Sequence, residues 1–389
     1  MQINPGGRLN TQEVMGRDRE IARYWDILGR QGLVLSAERR IGKTHIALKM
    51  RDECGPRYLP FYQDLEGVHS INELIRSIYD TVRQSLATAP RFKARLATWS
   101  TLLPDRIGGI DIPTGSRNWQ ILLATAFDDL INISEDKIIL MLWDEFPLML
   151  HNLQRREGPD SAIELLDHLR ALRLAHSNRL RFLYTGSIGL HLVLRSLRKA
   201  GNANDPVNDM HSATVPPMTH RDTCDLAAAL LKETLAPSDL VSTLASLVAE
   251  EVGGFPYYVH HVVDQLHQLR RPITPDDIVS AVGGLIHDPH DPANFQYYVN
   301  RLSAYYDAAD RGVTLMVLDT MAGLEQAAPV SQLVNLCRHR DPSLTEEYVR
   351  EALKLMAEDH YVTLKRTKGG LVYDFRWQLV KRWWKETRL

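Results

Sequence analysis

Apolar residues recur at helical spacing over Arg17–Leu28, where Ile21, Tyr24, Trp25 and Leu28 share one face. Leu33-Val34-Leu35 then reads as a short buried strand, followed by a basic loop and a helix that starts near Lys43. The pattern predicts a strand over Tyr58–Asp64 and helices over Ile71–Leu86 and Trp119–Leu130. Between those helices, Leu103–Ser116 is rich in Gly, Pro and Ile and predicts a hairpin or loop insertion. Ile138–Trp143 is apolar without alternation, as expected of a parallel strand covered on both faces. A helix over Ala162–Ala175 and a buried strand over Leu180–Thr185 follow, and Arg195–Pro217, with Gly201, Asn202, Asn204, Asp205 and Pro206, reads as a loop. Strands alternating with helices predict an α/β domain: a parallel sheet with helices on both faces.

From Thr219 to Ile286 the spacing is helical throughout. His287-Asp288-Pro289-His290-Asp291-Pro292 breaks it and marks a boundary. Helices are predicted over Asn294–Tyr306, Val313–Ala322, Pro329–Cys337 and Leu344–Asp359. Tyr361–Lys365 and Leu371–Phe375 flank the turn at Gly369-Gly370 as a hairpin, so this part reads as a winged helix. The expected organisation is a loosely ordered start (1–13), an α/β core (14–217), an all-α segment (218–290) and a C-terminal winged helix (291–389).

Composition narrows the classes. A net charge of -2 over 389 residues advertises neither nucleic acid nor an anionic membrane. The cysteines Cys54, Cys224 and Cys337 are far apart, which excludes a zinc ribbon or disulfide framework and suits a reduced cytoplasmic setting. The polar start is not a signal peptide, and no apolar run is long enough to span a bilayer, so no membrane partner is expected.

Two motifs carry chemistry. Ala37-Glu38-Arg39-Arg40-Ile41-Gly42-Lys43-Thr44 has the spacing of a phosphate-binding P-loop (Walker A), with alanine in place of the first glycine. A strand precedes it and a helix follows, so successive backbone N–H groups and the helix N-terminus would face one anion. Lys43 would reach the β- and γ-phosphates of ATP, Thr44 would bind Mg²⁺, and Gly42 would let the backbone approach closely. About a hundred residues on, Ile138–Trp143 runs into Asp144 and Glu145, a Walker B element. Asp144 would hold Mg²⁺, and Glu145 would orient and deprotonate the attacking water.

With these motifs in hand, the chain resembles the STAND class of P-loop NTPases among the AAA+ relatives, nearest to the group called archaeal ATPases. Arg39-Arg40 within the loop is similar to that group's Arg-Arg-x-Gly-Lys-Thr signature, and Val14 to Glu20 resembles its N-terminal Gly-Arg element. Gly16 and Arg17 are thereby implied to lie near the adenine. Leu183–Ser187 resembles the sensor 1 strand end, which implies that Ser187 or Thr185 faces the γ-phosphate. Gly254-Phe255-Pro256 resembles the Gly-x-Pro element of the family's helical lid, which implies that Pro256 lies over the base. Tyr373–Arg376 and Trp383-Trp384 resemble the last strand and helix of the family's winged helix. Immune relatives carry arginine where Ser187 stands, and no arginine finger or sensor 2 arginine is evident, which implies slow or partner-completed hydrolysis. His260, His261 and His267 on one amphipathic helix are expected to be structural, and Trp377, Trp383 and Trp384 to be packing residues.

The resemblance implies an ATPase acting as a nucleotide-driven switch, with ATP bound between core and lid. Its conformational change or oligomerisation would be coupled to a protein partner in prokaryotic defence or signalling. The alternative is a DNA-handling ATPase of the replication-initiator or transposition-regulator type. Lys365, Arg366 and Lys368 on the wing would serve DNA, but Glu346, Glu347, Glu351, Glu358 and Asp359 give the candidate reading helix the wrong sign for phosphate.

Overall fold

Five parallel strands form the sheet, four of them where the apolar runs predict strands. They are β1 (Gly32–Ser36), β2 (Tyr58–Asp64), β3 (Ile138–Asp144), β4 (Leu180–Tyr184) and β5 (Met210–Thr214), in spatial order β2-β3-β4-β1-β5. The computed structural model describes residues 1–86 and 119–389, and the insertion expected at Leu103–Ser116 lies outside the described residues. β3, buried along its whole length, occupies the interior of the sheet between β2 and β4. Pro60 sits on β2, an edge strand where a missing ladder donor is tolerated.

The helices accompanying the sheet are α1 (Asp18–Leu28), α2 (Lys43–Asp52), α3 (Ile71–Leu86), α4 (Trp119–Ile133), α5 (Phe146–Glu157), α6 (Pro159–Ala175) and α7 (Leu190–Lys199). Two elements depart from the expectations. Arg195–Pro217 is not all loop, because it contains the end of α7 and the edge strand β5. β5 escapes the periodicity reading because Met-His-Ser-Ala-Thr buries only Met210 and Ala213. α5 also went unread. It begins directly behind β3 and is separated from α6 by Gly158 alone, whose φ of 95° turns the chain between them.

The chain forms two compact units. The sheet unit comprises Arg17–Arg39 and Lys43–Val215. At its centre, Trp143 packs on Phe182 with ring centroids 5.0 Å apart, and Phe146 stacks on Tyr184 at 4.0 Å. Trp143 Nε1 donates to Gln63 Oε1 across the β2–β3 ladder at 2.5 Å, which satisfies a buried indole N–H. Arg173 of α6 donates to both Asp209 oxygens at 2.7 and 2.8 Å, to the Pro206 carbonyl at 2.6 Å and to the Tyr184 hydroxyl at 3.2 Å. This buried guanidinium therefore anchors the loop leading into β5.

The second unit comprises Met1–Gly16, Arg40–Gly42 and Pro216–Leu389. Its helices are α8 (His220–Leu231), α9 (Val241–Val252), α10 (Pro256–Gln268), α11 (Pro275–His287), α12 (Gln296–Tyr305), α13 (Ala308–Ala322), α14 (Val330–Arg338), α15 (Glu346–Glu358) and α16 (Gln378–Arg388). Strands β6 (Val362–Thr367) and β7 (Gly370–Phe375) pair antiparallel between the last two helices, in the predicted order. Trp377, Trp383 and Trp384 are buried, consistent with packing roles, and Trp384 donates to Asp319 at 2.7 Å. Arg301 donates to the buried Asp359, which also accepts from the Tyr306 hydroxyl at 3.0 Å. The Asn4 N–H donates to His260 Nδ1 at 3.2 Å.

Replacing Arg173 with Ala should cost about 3 kcal/mol, because it leaves the buried partners of a charge uncompensated. Differential scanning calorimetry should show a midpoint lowered by roughly 2–4 °C per kcal/mol for a domain of this size. An unchanged midpoint would show that Arg173 does not anchor β5.

Candidate nucleotide site

The site grows from the loop between β1 and α2. Gly42 has a φ of +104°, a conformation that side chains rarely adopt, and a Cβ built there would meet nothing within 4 Å. Open space therefore lies over this peptide. Lys43, at the first turn of α2, is buried, and its ammonium donates to the carbonyls of Ala37 and Glu38 at 2.8 Å each. The lysine thus spans the curve of its own loop. The Glu38 carboxylate is buried, and its Oε1 accepts the Arg39 N–H at 3.1 Å.

Thr44 follows on α2, and its hydroxyl donates to Asp144 Oδ2 at 2.6 Å. β4 lies between β1 and β3 in the sheet, so side chains from their ends must cover about 10 Å to meet. The Thr44–Asp144 bond closes that gap at the carboxyl ends of the strands, where open parallel sheets bind ligands. Two further donors reach Asp144: the Tyr62 hydroxyl contacts Oδ2 at 3.2 Å and the Glu145 N–H contacts Oδ1 at 3.1 Å. Burial pushes the Asp144 carboxyl above its ordinary pKa, opposed by the Thr44 bond and the Lys43 charge.

Glu145 sits in the left-handed region, with φ 56° and ψ 24°, where β3 turns into α5. Its Oε2 accepts two bonds from one residue, the Ser187 N–H at 2.9 Å and the Ser187 hydroxyl at 2.7 Å. Burial raises the Glu145 pKa, and these two bonds oppose the rise. The sequence expectation directed either Ser187 or Thr185 at a phosphate. The structure brings Ser187 to Glu145, while the Thr185 hydroxyl is buried without a hydrogen-bond partner among the described residues. Gly186, between them, lies tight against α5: a Cβ there would come within 2.8 Å of Pro147 Cδ.

Lys43, Thr44, Asp144, Glu145 and Ser187 therefore converge within the sheet unit. The remaining expected residues are placed as follows. Arg17, also in that unit, is buried at the start of α1. Gly16 lies beside Met218 and Asp222, and Pro256 occupies the first turn of α10; both belong to the second unit. Arg40 and Ile41 cluster with that unit as well. Arg40 donates to the Tyr257 hydroxyl, and its guanidinium lies 4.4 Å from the centre of that ring. Tyr62 is the residue that sequence reasoning missed, because its position on β2 shows its contact with Asp144 only once the register of β2 on β3 is known.

The donor set suits Mg²⁺. A hydroxyl and a carboxylate are hard oxygen ligands 2.6 Å apart, and Mg²⁺ is ordinarily held by one or two carboxylates completed by water and substrate phosphates. Consistently, no group of three or more His, Cys, Asp and Glu among the described residues could cage a metal alone. No described helix is long and apolar enough to cross a membrane.

No protein-family profile matches the chain, and no curated protein matches it in sequence. Among solved structures it is similar to the Walker-type ATPase PABY2304 of Pyrococcus abyssi, at 15% identity and a TM-score of 0.66, over 98% of this chain and 99% of that one. The Aeropyrum pernix ORC2 protein covers 98% of this chain and 96% of its own at 14% identity and a TM-score of 0.47. The Cdc6p structure from Pyrobaculum aerophilum covers 99% and 97% at 12% identity and a TM-score of 0.44. At 15% identity, the PABY2304 match establishes a shared fold: a core of parallel strands and helices, followed by a largely helical C-terminal half.

Replacing Gly186 with Ala should force Pro147 and the start of α5 to shift. Overpacking of this kind costs about 1–3 kcal/mol. Urea unfolding should show the lowered midpoint; wild-type stability would mean that the Gly186–Pro147 contact is not tight.

Proposed function

We propose that this chain is an ATP-binding and ATP-hydrolysing switch of the AAA+ kind, similar to the STAND archaeal-ATPase group. The observation that carries the reading is the Thr44–Asp144 bond, formed beside Lys43 at the carboxyl ends of the sheet. In this reading backbone N–H groups of the loop from Ala37 to Thr44 bind the phosphates, and Lys43 supplies the opposing charge. Thr44 and Asp144 would hold Mg²⁺, which when bound neutralises charge on the phosphate oxygens. Glu145 orients a water and takes its proton, and the Ser187 bonds hold the carboxylate in place for that step. Gly16, Arg17 and Pro256 are assigned to the base on the family resemblance.

The helical segment 218–290 is proposed as the lid and 291–389 as a winged helix. Nucleotide exchange would drive a conformational change or assembly with a protein partner, or with further copies of the chain, in a cytoplasmic defence or signalling role. The DNA-handling alternative is less well supported by the residues. Glu346, Glu347 and Glu351 are exposed on α15, and Arg350 there is already paired with Glu346. On the wing, Lys365 pairs with Asp374 at 3.3 Å, which leaves Arg366 and Lys368 as the stronger candidates for a phosphate backbone.

Replacing Lys43 with Ala should weaken ATP and ADP binding by about 2–3 kcal/mol, roughly a hundredfold, on the scale of charge-assisted hydrogen bonds. Calorimetry on a variant with an unchanged melting curve tests this, and wild-type affinity would remove the P-loop assignment. The Glu145→Gln variant should bind ATP with Mg²⁺ normally. Its amide can still accept the Ser187 bonds but cannot serve as a base, so turnover should fall by about 10²-fold or more. Wild-type phosphate release by this variant would assign the base to another residue.

A further inference from the structure

The geometry points to Tyr62 as a positioning residue for the Mg²⁺ site, acting through Asp144; the inference rests on the Mg²⁺–ATP reading of that site. In the β2–β3 ladder Tyr62 stands opposite Leu142, and Asp64 stands opposite Asp144. Gln63 and Trp143 bond to each other on one face of this pair of strands, so Tyr62 and Asp144 belong to the other. Tyr62 is one pleat away from Asp144 on that face, and its ring has the length to cover the diagonal. Its hydroxyl donates to Asp144 Oδ2 at 3.2 Å.

The need for such a residue follows from counting acceptor sites. A carboxylate offers about four lone-pair positions, and a hydroxyl has one proton and two lone pairs. Thr44 gives its proton to Oδ2, so its lone pairs remain for a cation. The Glu145 N–H takes one position on Oδ1, and the Tyr62 hydroxyl takes the second position on Oδ2. Oδ2 is thereby filled, and the position that remains for a cation or its water is on Oδ1. Without Tyr62 the second position on Oδ2 would open, and a cation or its water could settle there instead of on Oδ1. At 3.2 Å the bond is longer than the usual O–H···O contact, so the Thr44 bond is the main tie on Oδ2 and the Tyr62 hydroxyl closes its second position.

Two features make the phenol suited to this. The guanidinium of Arg51, further along α2, lies over the Tyr62 ring, 5.8 Å from its centre, and restrains it. Asp64, the register partner of Asp144, accepts the Glu66 N–H of its own loop at 3.0 Å.

The test is the Tyr62→Phe variant, which keeps the ring and its contact with Arg51. Isothermal titration with a non-hydrolysable ATP analogue is run in excess Mg²⁺ and again in EDTA, on wild type and variant, with melting curves of both. Loss of a partner that orients a metal ligand ordinarily costs 10–100-fold in metal affinity. The variant should therefore lose about tenfold of the Mg²⁺-dependent gain in analogue affinity. Its affinity in EDTA and its melting temperature should match wild type. A merely structural role would lower affinity in both buffers together, and that result would overturn the assignment, as would an unaltered Mg²⁺ gain. A wild type that binds the analogue with no Mg²⁺ dependence would overturn the metal-site reading itself, and the role of Tyr62 with it. A wild type that gains from Mg²⁺ alongside a variant that gains equally would overturn only Tyr62.

Discussion

The hydrogen bond from Thr44 to Asp144 is the constraint on which the candidate site depends. It ties the first turn of α2 to the end of β3, two elements separated in the sheet by β4. With that tie in place, the loop between β1 and α2 closes over the Lys43 ammonium, and the Asp144 carboxylate faces the same point. The same strand end carries Glu145, whose left-handed backbone turns the chain directly into α5. A single buried strand thus fixes two carboxylates with different neighbours: Asp144 among donors from α2 and β2, and Glu145 under the donors of Ser187.

Those neighbours distinguish the surroundings of the two acids. Burial raises both pKa values, as desolvation disfavours charge. At Asp144 the Thr44 hydroxyl bond and the Lys43 charge oppose the rise. At Glu145 the two Ser187 bonds oppose it, and the Lys43 charge adds to them; both bonds fall on one oxygen, which fixes the orientation of the carboxylate. That arrangement suits a group that must accept a proton in one direction.

Much of this was legible in the sequence because the signals are local. Lys43 and Thr44 follow a short apolar strand at fixed spacing, and Asp144-Glu145 end an unbroken apolar run; both features survive without any knowledge of the fold. The strands β1 to β4 were readable for the same reason. β5 was not, because an edge strand of five residues with two buried side chains carries little periodicity. α5 was masked because it starts within one residue of β3 and ends within one residue of α6. Tyr62 and the Ser187–Glu145 bonds were beyond reach for another reason. Each joins residues dozens of positions apart, and only the strand register decides whether they meet.

In the proposed function, Thr44 and Asp144 form half of a cation site that a nucleotide completes. Electron–nuclear double resonance with Mn²⁺ in place of Mg²⁺ tests this most directly on the wild-type chain. One Mn²⁺ per chain should be held only when ATP or its analogue is present, with ³¹P couplings from the nucleotide. Mn²⁺ that stays free in the presence of both, or that binds the chain equally without nucleotide and without ³¹P coupling, would contradict it.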